Sequence, residues 1–175
     1  SAPLEIPTAP FNSVFAPFGS GDVAQPGTNQ KIDMIGGIIS YAPNYRSFAG
    51  HNSWVITFNT DIDGNDTSGI RWIELRNDAG NIGLAFNVAS GSLKAGIRYT
   101  GRFDGDPLGQ MTVAETEIIP GAGVQTFTNR FGDYSHLTLD PDNFTFWHTA
   151  EYFSSDNNRR TQIAAFTLSE GFAKD

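Results

Sequence analysis

Asp61, Asp63, Asn65 and Asp66 place hard oxygen donors at nearly alternate positions of one short stretch, the donor type that a calcium ion takes. The spacing is not that of an EF-hand, because Gly64 precedes Asn65 and no Glu closes a twelve-residue loop. The same residues have strong turn chemistry, since Asp and Asn side chains bond backbone N–H groups two residues on. An Asx-rich hairpin turn is therefore the competing expectation, and calcium is the one candidate cofactor. Arg71, Arg98 and Arg130 each carry a planar fork that donates two parallel hydrogen bonds to a carboxylate. His51, His136 and His148 are far apart and lack metal-ligand spacing. With no cysteine, the chain has no disulfide, no thiolate zinc site and no cysteine nucleophile.

The elements that must position these groups follow from composition. At 175 residues the chain has the length of one domain with a substantial core. Fourteen Phe, 5 Tyr and 3 Trp beside 19 Gly and 9 Pro suit short strands joined by tight turns, so the fold is expected to be all-β. A net charge of −8 and a pI near 4.7 oppose the field that a nucleic-acid or anionic-membrane binder presents. No nucleic-acid partner is expected. No apolar run is long enough to span a bilayer, so no membrane insertion is expected either. The first residues lack a basic-then-apolar signal segment, which leaves a cytoplasmic protein or a mature or partial form of an exported one.

Residues 1–30 hold Pro3, Pro7, Pro10, Pro17 and Pro26 with no clear period, and are expected to form an extended lead-in. Residues 31–175 read as strands. Ile35–Tyr41, Ser53–Asn59 and Gly69–Leu75 are short apolar runs, and turn-rich residues 61–68 join the last two into an antiparallel meander. A two-strand phrase then recurs. Phe58-Asn59 followed by Gly69-Ile-Arg-Trp72 is echoed by Phe86-Asn87 followed by Gly96-Ile-Arg-Tyr99. A weaker echo matches Asp78–Phe86 with Asp140–His148, followed by Arg160–Leu168, and puts His148 where Phe86 stands. The structural reading of His148 is accordingly a partly buried histidine, and Trp54, Trp72 and Trp147 are expected in the core.

Recurring meanders predict a partial β-propeller of four-stranded antiparallel blades, about three of them incomplete. The spacing is uneven: Phe58 and Phe86 stand 28 positions apart, whereas Asp78 and Asp140 stand 62 apart. A four-stranded blade needs roughly 40 to 50 residues. The difference predicts a missing segment of about 34 residues near Asn77 and Asp78, where an outer strand and the next inner strand are expected, with a degenerate blade as the alternative.

Several of these strings resemble those of one family. Gly69-Ile-Arg-Trp-Ile-Glu-Leu-Arg76, Asp78-Ala-Gly-Asn-Ile-Gly-Leu-Ala-Phe86, Ile97–Arg102, Asp106–Gly109 and Arg130-Phe-Gly-Asp-Tyr-Ser135 with Phe146-Trp147 look like large secreted Bacteroidota propeller proteins. That family is often labelled sialidase-like and is exported by type IX secretion. The resemblance spans most of residues 22–168 and implies an extracellular or cell-surface location. Sialidases grip a carboxylate with three arginines and use a Tyr/Glu pair as nucleophile with an Asp as acid/base, a chemistry in which tyrosine replaces the usual carboxylate. The resemblance thus offers Arg71, Arg98 and Arg130 as the triad, with Tyr134, Glu115 and Asp133 as the reacting groups. Arg71 and Arg98 hold equivalent places in a repeat, however, which fits repeated packing better than one asymmetric site. The chain also lacks the Ser-x-Asp-x-Gly-x-Thr-Trp box and an Arg-Ile-Pro motif. Asp133 and Tyr134 follow Gly132, where an innermost strand would begin near the axis.

The leading expectation is a non-catalytic binding module for a glycan or surface partner. A sialidase-like glycoside hydrolase with part of its site elsewhere, and a structural cargo domain that contacts the secretion machinery, are the alternatives.

Overall fold

In the computed structural model the described residues are 8–13, 23–36, 39, 44–47, 52–65, 67–76, 81–107 and 109–168, and all their regular structure is β. The chain is an all-β protein. Two short strands, β1 (Val23–Gln25) and β2 (Thr28–Ile32), form a hairpin. Pro26 presets the first turn position, and Gly27 takes the left-handed conformation of the second at φ 73°. This hairpin straddles the boundary expected at residue 30: Val23 and Ile32 are buried in the main core, so the sheets begin earlier than the proline pattern suggests.

Three antiparallel meanders follow. The first contains β3 (Asn44–Ser47), β4 (Asn52–Asp61) and β5 (Ser68–Arg76); the second β6 (Ile82–Ser90), β7 (Leu93–Arg102) and β8 (Val113–Ile119). The third contains β9 (His136–Leu139), β10 (Thr145–Phe153) and β11 (Arg159–Thr167). Each sheet has three strands among the described residues, one fewer than expected. The predicted meander runs are in place, and Phe58 faces Arg71 just as Phe86 faces Arg98. The Asn77–Asp78 step, where an interruption is predicted, lies outside the described residues, as does most of the Ile35–Tyr41 run.

The second and third sheets pack against one another through aromatic rings. Tyr99 on β7 stacks on Phe166 of β11 with centroids 4.1 Å apart, and Phe166 stacks in turn on Phe146 of β10 at 5.3 Å. Gly83 on β6 permits this approach, since a Cβ there would lie 2.7 Å from the Phe146 ring. A second cluster, Val23, Ile32, Ala89, Ala95, Phe131 and Phe153, ties the hairpin to both sheets. Full burial of a side chain as large as Phe153 or Ile32 contributes about 1.5–3 kcal/mol. Trp54 and Trp147 depart from the expected core placement, being 40% and 43% exposed. Trp54 leans on Tyr45 at 4.9 Å, and Trp147 donates its indole N–H to Asp140 at 3.0 Å.

Candidate binding cleft

A cleft of about 890 Å³ opens where the three sheets approach one another. Its walls include three unbroken runs: Val55–Asn59 of β4, Asn81–Asn87 leading into and along β6, and Ser135–Leu139 leading into and along β9. A strand that shows a face to a cavity contributes every second residue, because side chains alternate. An unbroken run therefore means that the strand edge, with its backbone N–H and C=O groups, looks into the space. The topology agrees: β6 and β9 are edge strands, and β3 covers β4 only over Asn52–Val55. At its far end the β4 edge is closed by Asn12, whose carbonyl accepts the Asp61 N–H at 2.9 Å.

The loop beside the cleft is held by buried amides. Gln25 donates to the Gln125 carbonyl at 3.0 Å and accepts from the Gln125 backbone N–H at 2.8 Å. Gln125, fully buried, donates to the carbonyls of Thr128 and Arg130 at 2.6 and 2.9 Å. This fixes the approach to Phe131, Gly132 and Asp133, all of which line the cleft. Gly132 takes φ 72°, the left-handed conformation that lets the chain turn beside Asn87. Asn87 donates to the Glu151 carbonyl at 2.7 Å and so links β6 to β10 at the cleft wall.

The candidate arginines have separate partners. Arg71 donates to the Ala9 carbonyl at 3.0 Å and lies over the Phe11 ring, 5.2 Å from its centroid. Arg98 pairs with Glu115 across β7 and β8 at 3.2 Å. Arg130 pairs with Asp133 through its Nε at 2.9 Å and through a terminal nitrogen, and the charge and hydrogen bonds of that carboxylate raise its pKa. Tyr134 is 79% exposed. Of these six residues only Asp133 lines the cleft. The structure thus brings Arg98 to Glu115 and Arg130 to Asp133, and gives the three arginines no common partner among the described residues.

The acidic loop is a hairpin turn in which the Asp61 and Asp63 carboxylates are occupied by the chain itself. Asp61 accepts from the backbone N–H groups of Asp63 and Gly64 at 3.1 and 2.9 Å, and from the Asn12 amide at 3.1 Å. Asp63 accepts from the Asn65 N–H at 2.8 Å and from the Thr67 hydroxyl at 2.7 Å, bonds that lower its pKa. Asp66 lies outside the described residues. Among those described, no three acidic or histidine side chains are grouped as a metal site. The β9–β10 turn repeats the device, with Asp142 accepting from the N–H groups of Phe144 and Thr145 and from the Thr145 hydroxyl.

Sequence reasoning passed over the residues that shape the cleft. Asn59 and Asn87 both line it, and both donate a side-chain amide to a neighbouring carbonyl, Asn59 to Met34. The repeated Phe-Asn pair was the available signal. His148, which the sequence marks as a partly buried histidine, also lines the cleft and is 3% exposed. Its Nδ1 is 2.9 Å from the His136 carbonyl and must therefore donate, while its buried Nε2 has no hydrogen-bond partner among the described residues. Burial lowers its pKa, against the effect of that hydrogen bond. No family model matches the chain, and neither a curated protein nor a solved structure matches it.

Proposed function

We propose that this chain is a non-catalytic binding module, built as part of a β-propeller, whose ligand enters the cleft between the strand edges. The observation that carries the reading is the convergence of three strand edges on one space of ligand-binding size, about 890 Å³. Blades arranged around an axis place their inner strands in this way. Equal pairing of Phe58 with Arg71 and of Phe86 with Arg98 supports the blade reading. An exported or cell-surface location rests on the family resemblance alone.

Electrostatics favour binding over sialoside hydrolysis. Among the described residues lining the cleft, Asp33 and Asp133 carry charge and no Lys or Arg is present. Asp133 is paired with Arg130 outside the lining, and a carboxylate-gripping site needs converging guanidinium groups, which the lining lacks. Neutral glycans, peptides and cationic groups remain compatible with it.

The test is a glycan and peptide array probed with the protein and with Ile56→Trp, which fills the cleft from β4. A ligand that binds the parent chain, binds Ile56→Trp at least about tenfold more weakly, and is unaffected by Arg98→Ala is the expected result, a loss of about 1.4 kcal/mol. Far-ultraviolet circular dichroism separates a filled cleft from an unfolded variant. Release of sialic acid from a model sialoside, abolished by Arg98→Ala or Arg130→Ala, would overturn the reading.

A further inference from the structure

We propose that two copies of this chain join head to tail and close one six-sheet propeller. In it the Trp147 face of the third sheet of each copy packs on the Trp54 face of the first sheet of the other. The inference rests on the propeller part of the reading above and names the partner that completes it, a second copy.

The chain shows within itself how one sheet receives the next. The second sheet presents Tyr99, which stands across from Ala85, and the third receives that ring on Phe166, stacked in turn on its cross-strand partner Phe146. Side chains alternate along a strand, so each sheet has one presenting and one receiving face, and the recurring phrase locates both. With Phe86 aligned on His148, Trp147 takes the place of Ala85, and Ala165 across from it takes the place of Tyr99. The presenting face of the third sheet thus keeps one ring opposite one alanine, with the ring moved to the other strand. With Phe58 aligned on Phe86, Ile56 and its partner Ile73 on the first sheet take the places of Phe146 and Phe166. The receiving face there is apolar as well, and Trp54, with Tyr45 across from it, extends it.

Both faces hold exposed apolar groups in the single chain. Trp147 and Ile163 on the third sheet are 43% and 63% exposed, and Trp54 and Tyr45 on the first are 40% and 55% exposed. Aromatic side chains of this kind are what protein interfaces concentrate. One chain carries both halves of a contact that it already makes between its second and third sheets, so a second copy is a sufficient partner. A presenting face fits a receiving face and not itself, which makes the contact heterologous, and it repeats from copy to copy until it closes. Propellers close with four to eight blades, and two copies of these three sheets supply six. The edges of β4, β6 and β9 already look into one cleft, as inner strands look onto a propeller's axis. The second copy also returns Trp54 and Trp147 to a core, where the sequence pattern expects them.

The test is sedimentation equilibrium of the full chain, of Trp54→Lys, of Ile163→Lys, and of the two variants mixed. Both positions are exposed, so each variant should stay folded, as circular dichroism and the melting temperature check. Lysine also reduces the net charge of −8, so lost association cannot come from added repulsion between copies. The parent chain is expected to be a dimer, and each variant alone to associate at least about tenfold more weakly. Mixing should restore a dimer of one copy of each, because the intact Ile163 face of one variant meets the intact Trp54 face of the other. A parent chain that stays monomeric up to its solubility limit, a variant that dimerises as well as the parent, a mixture that stays monomeric, or growth into open-ended polymers would overturn the proposal. If a monomeric parent chain bound a ligand that Ile56→Trp weakened, the ring would fall and the binding reading would stand. A dimer rescued by mixing that bound no ligand would do the reverse.

Discussion

β6 and β10 are the first long strands of adjacent sheets and meet where Gly83 lies against the Phe146 ring, yet they meet their other surroundings differently. β10 lies between β9 and β11, and its residues Ala150 and Phe153, on opposite faces, are both fully buried. β6 has β7 on one side and the cleft on the other. Where β10 carries His148, sealed against the His136 carbonyl, β6 carries Phe86, half-buried on the cleft wall. The difference lies in what covers the edge. A paired strand can bury a polar ring because a neighbouring carbonyl satisfies it, whereas an unpaired one keeps its backbone groups available to a ligand.

The largest expected effect tests whether the β10 side carries the stability. Phe166→Ala removes a ring that is 8% exposed and sandwiched between Tyr99 and Phe146. Urea unfolding should show a loss of about 3–5 kcal/mol, the usual cost of deleting a packed phenylalanine. Phe86→Ala, on the open side, should cost about 1 kcal/mol, because its ring is only partly buried. Equal costs would mean that the cleft closes onto Phe86 in solution and that the contrast between the strands is false.

A smaller effect concerns His148. Burial holds its folded-state pKa below the ordinary 6.5, so the unfolded chain takes up a proton first as pH falls. Native stability should therefore decline as pH drops from about 6.5 toward the lower folded value, and level off beneath it. The groups facing the ring include the His136 carbonyl, which stabilises the protonated form, and the His136 imidazole, which opposes it when charged. His148→Phe gives β10 the residue that β6 has. Its unfolding free energy should lack that slope between pH 6.5 and the folded pKa, as thermal melts across a pH series would reveal. A slope that survived the substitution would assign it to other groups.

Much of this arrangement is legible in the chain, for reasons that can be located. The all-β class follows from aromatic runs broken by Gly, Pro and Asx turns, and the β4-β5 and β6-β7 hairpins follow from the alternation around Phe58 and Phe86. The Asp61–Thr67 loop could be read either as a cation site or as a turn, because the same oxygens serve both; the structure spends them on backbone N–H groups. The β1-β2 hairpin was hidden by its short length and by Pro26, which marks a turn as readily as a lead-in. Trp54 and Trp147 could not be assigned to a face from local pattern, because which face of a sheet is covered depends on a neighbouring sheet. The cleft was illegible for the same reason, since an edge becomes a site only through what stands beside it.

The smallest expected effect would make β10 more like β6. Asp142 closes the β9–β10 turn by accepting from two backbone N–H groups and from the Thr145 hydroxyl, bonds that hold its pKa below the ordinary carboxylate range. Asp142→Ala should loosen β9, speed amide exchange over Phe146–Thr149, and lower the melting temperature slightly, because the turn is exposed. A carboxyl with a depressed folded pKa contributes stability that is present above its unfolded pKa and lost as pH falls through the folded one. The melting-temperature gap between wild type and Asp142→Ala should therefore be full at neutral pH and narrow below about pH 4. If the gap persisted in acid, the turn would owe its stability to contacts that a protonated Asp142 keeps, such as its hydrogen bond with the Thr145 hydroxyl. If exchange over Phe146–Thr149 did not change, β9 would be held by the sheet pairing itself, and the covered edge of β10 would be more securely built than its turn chemistry implies.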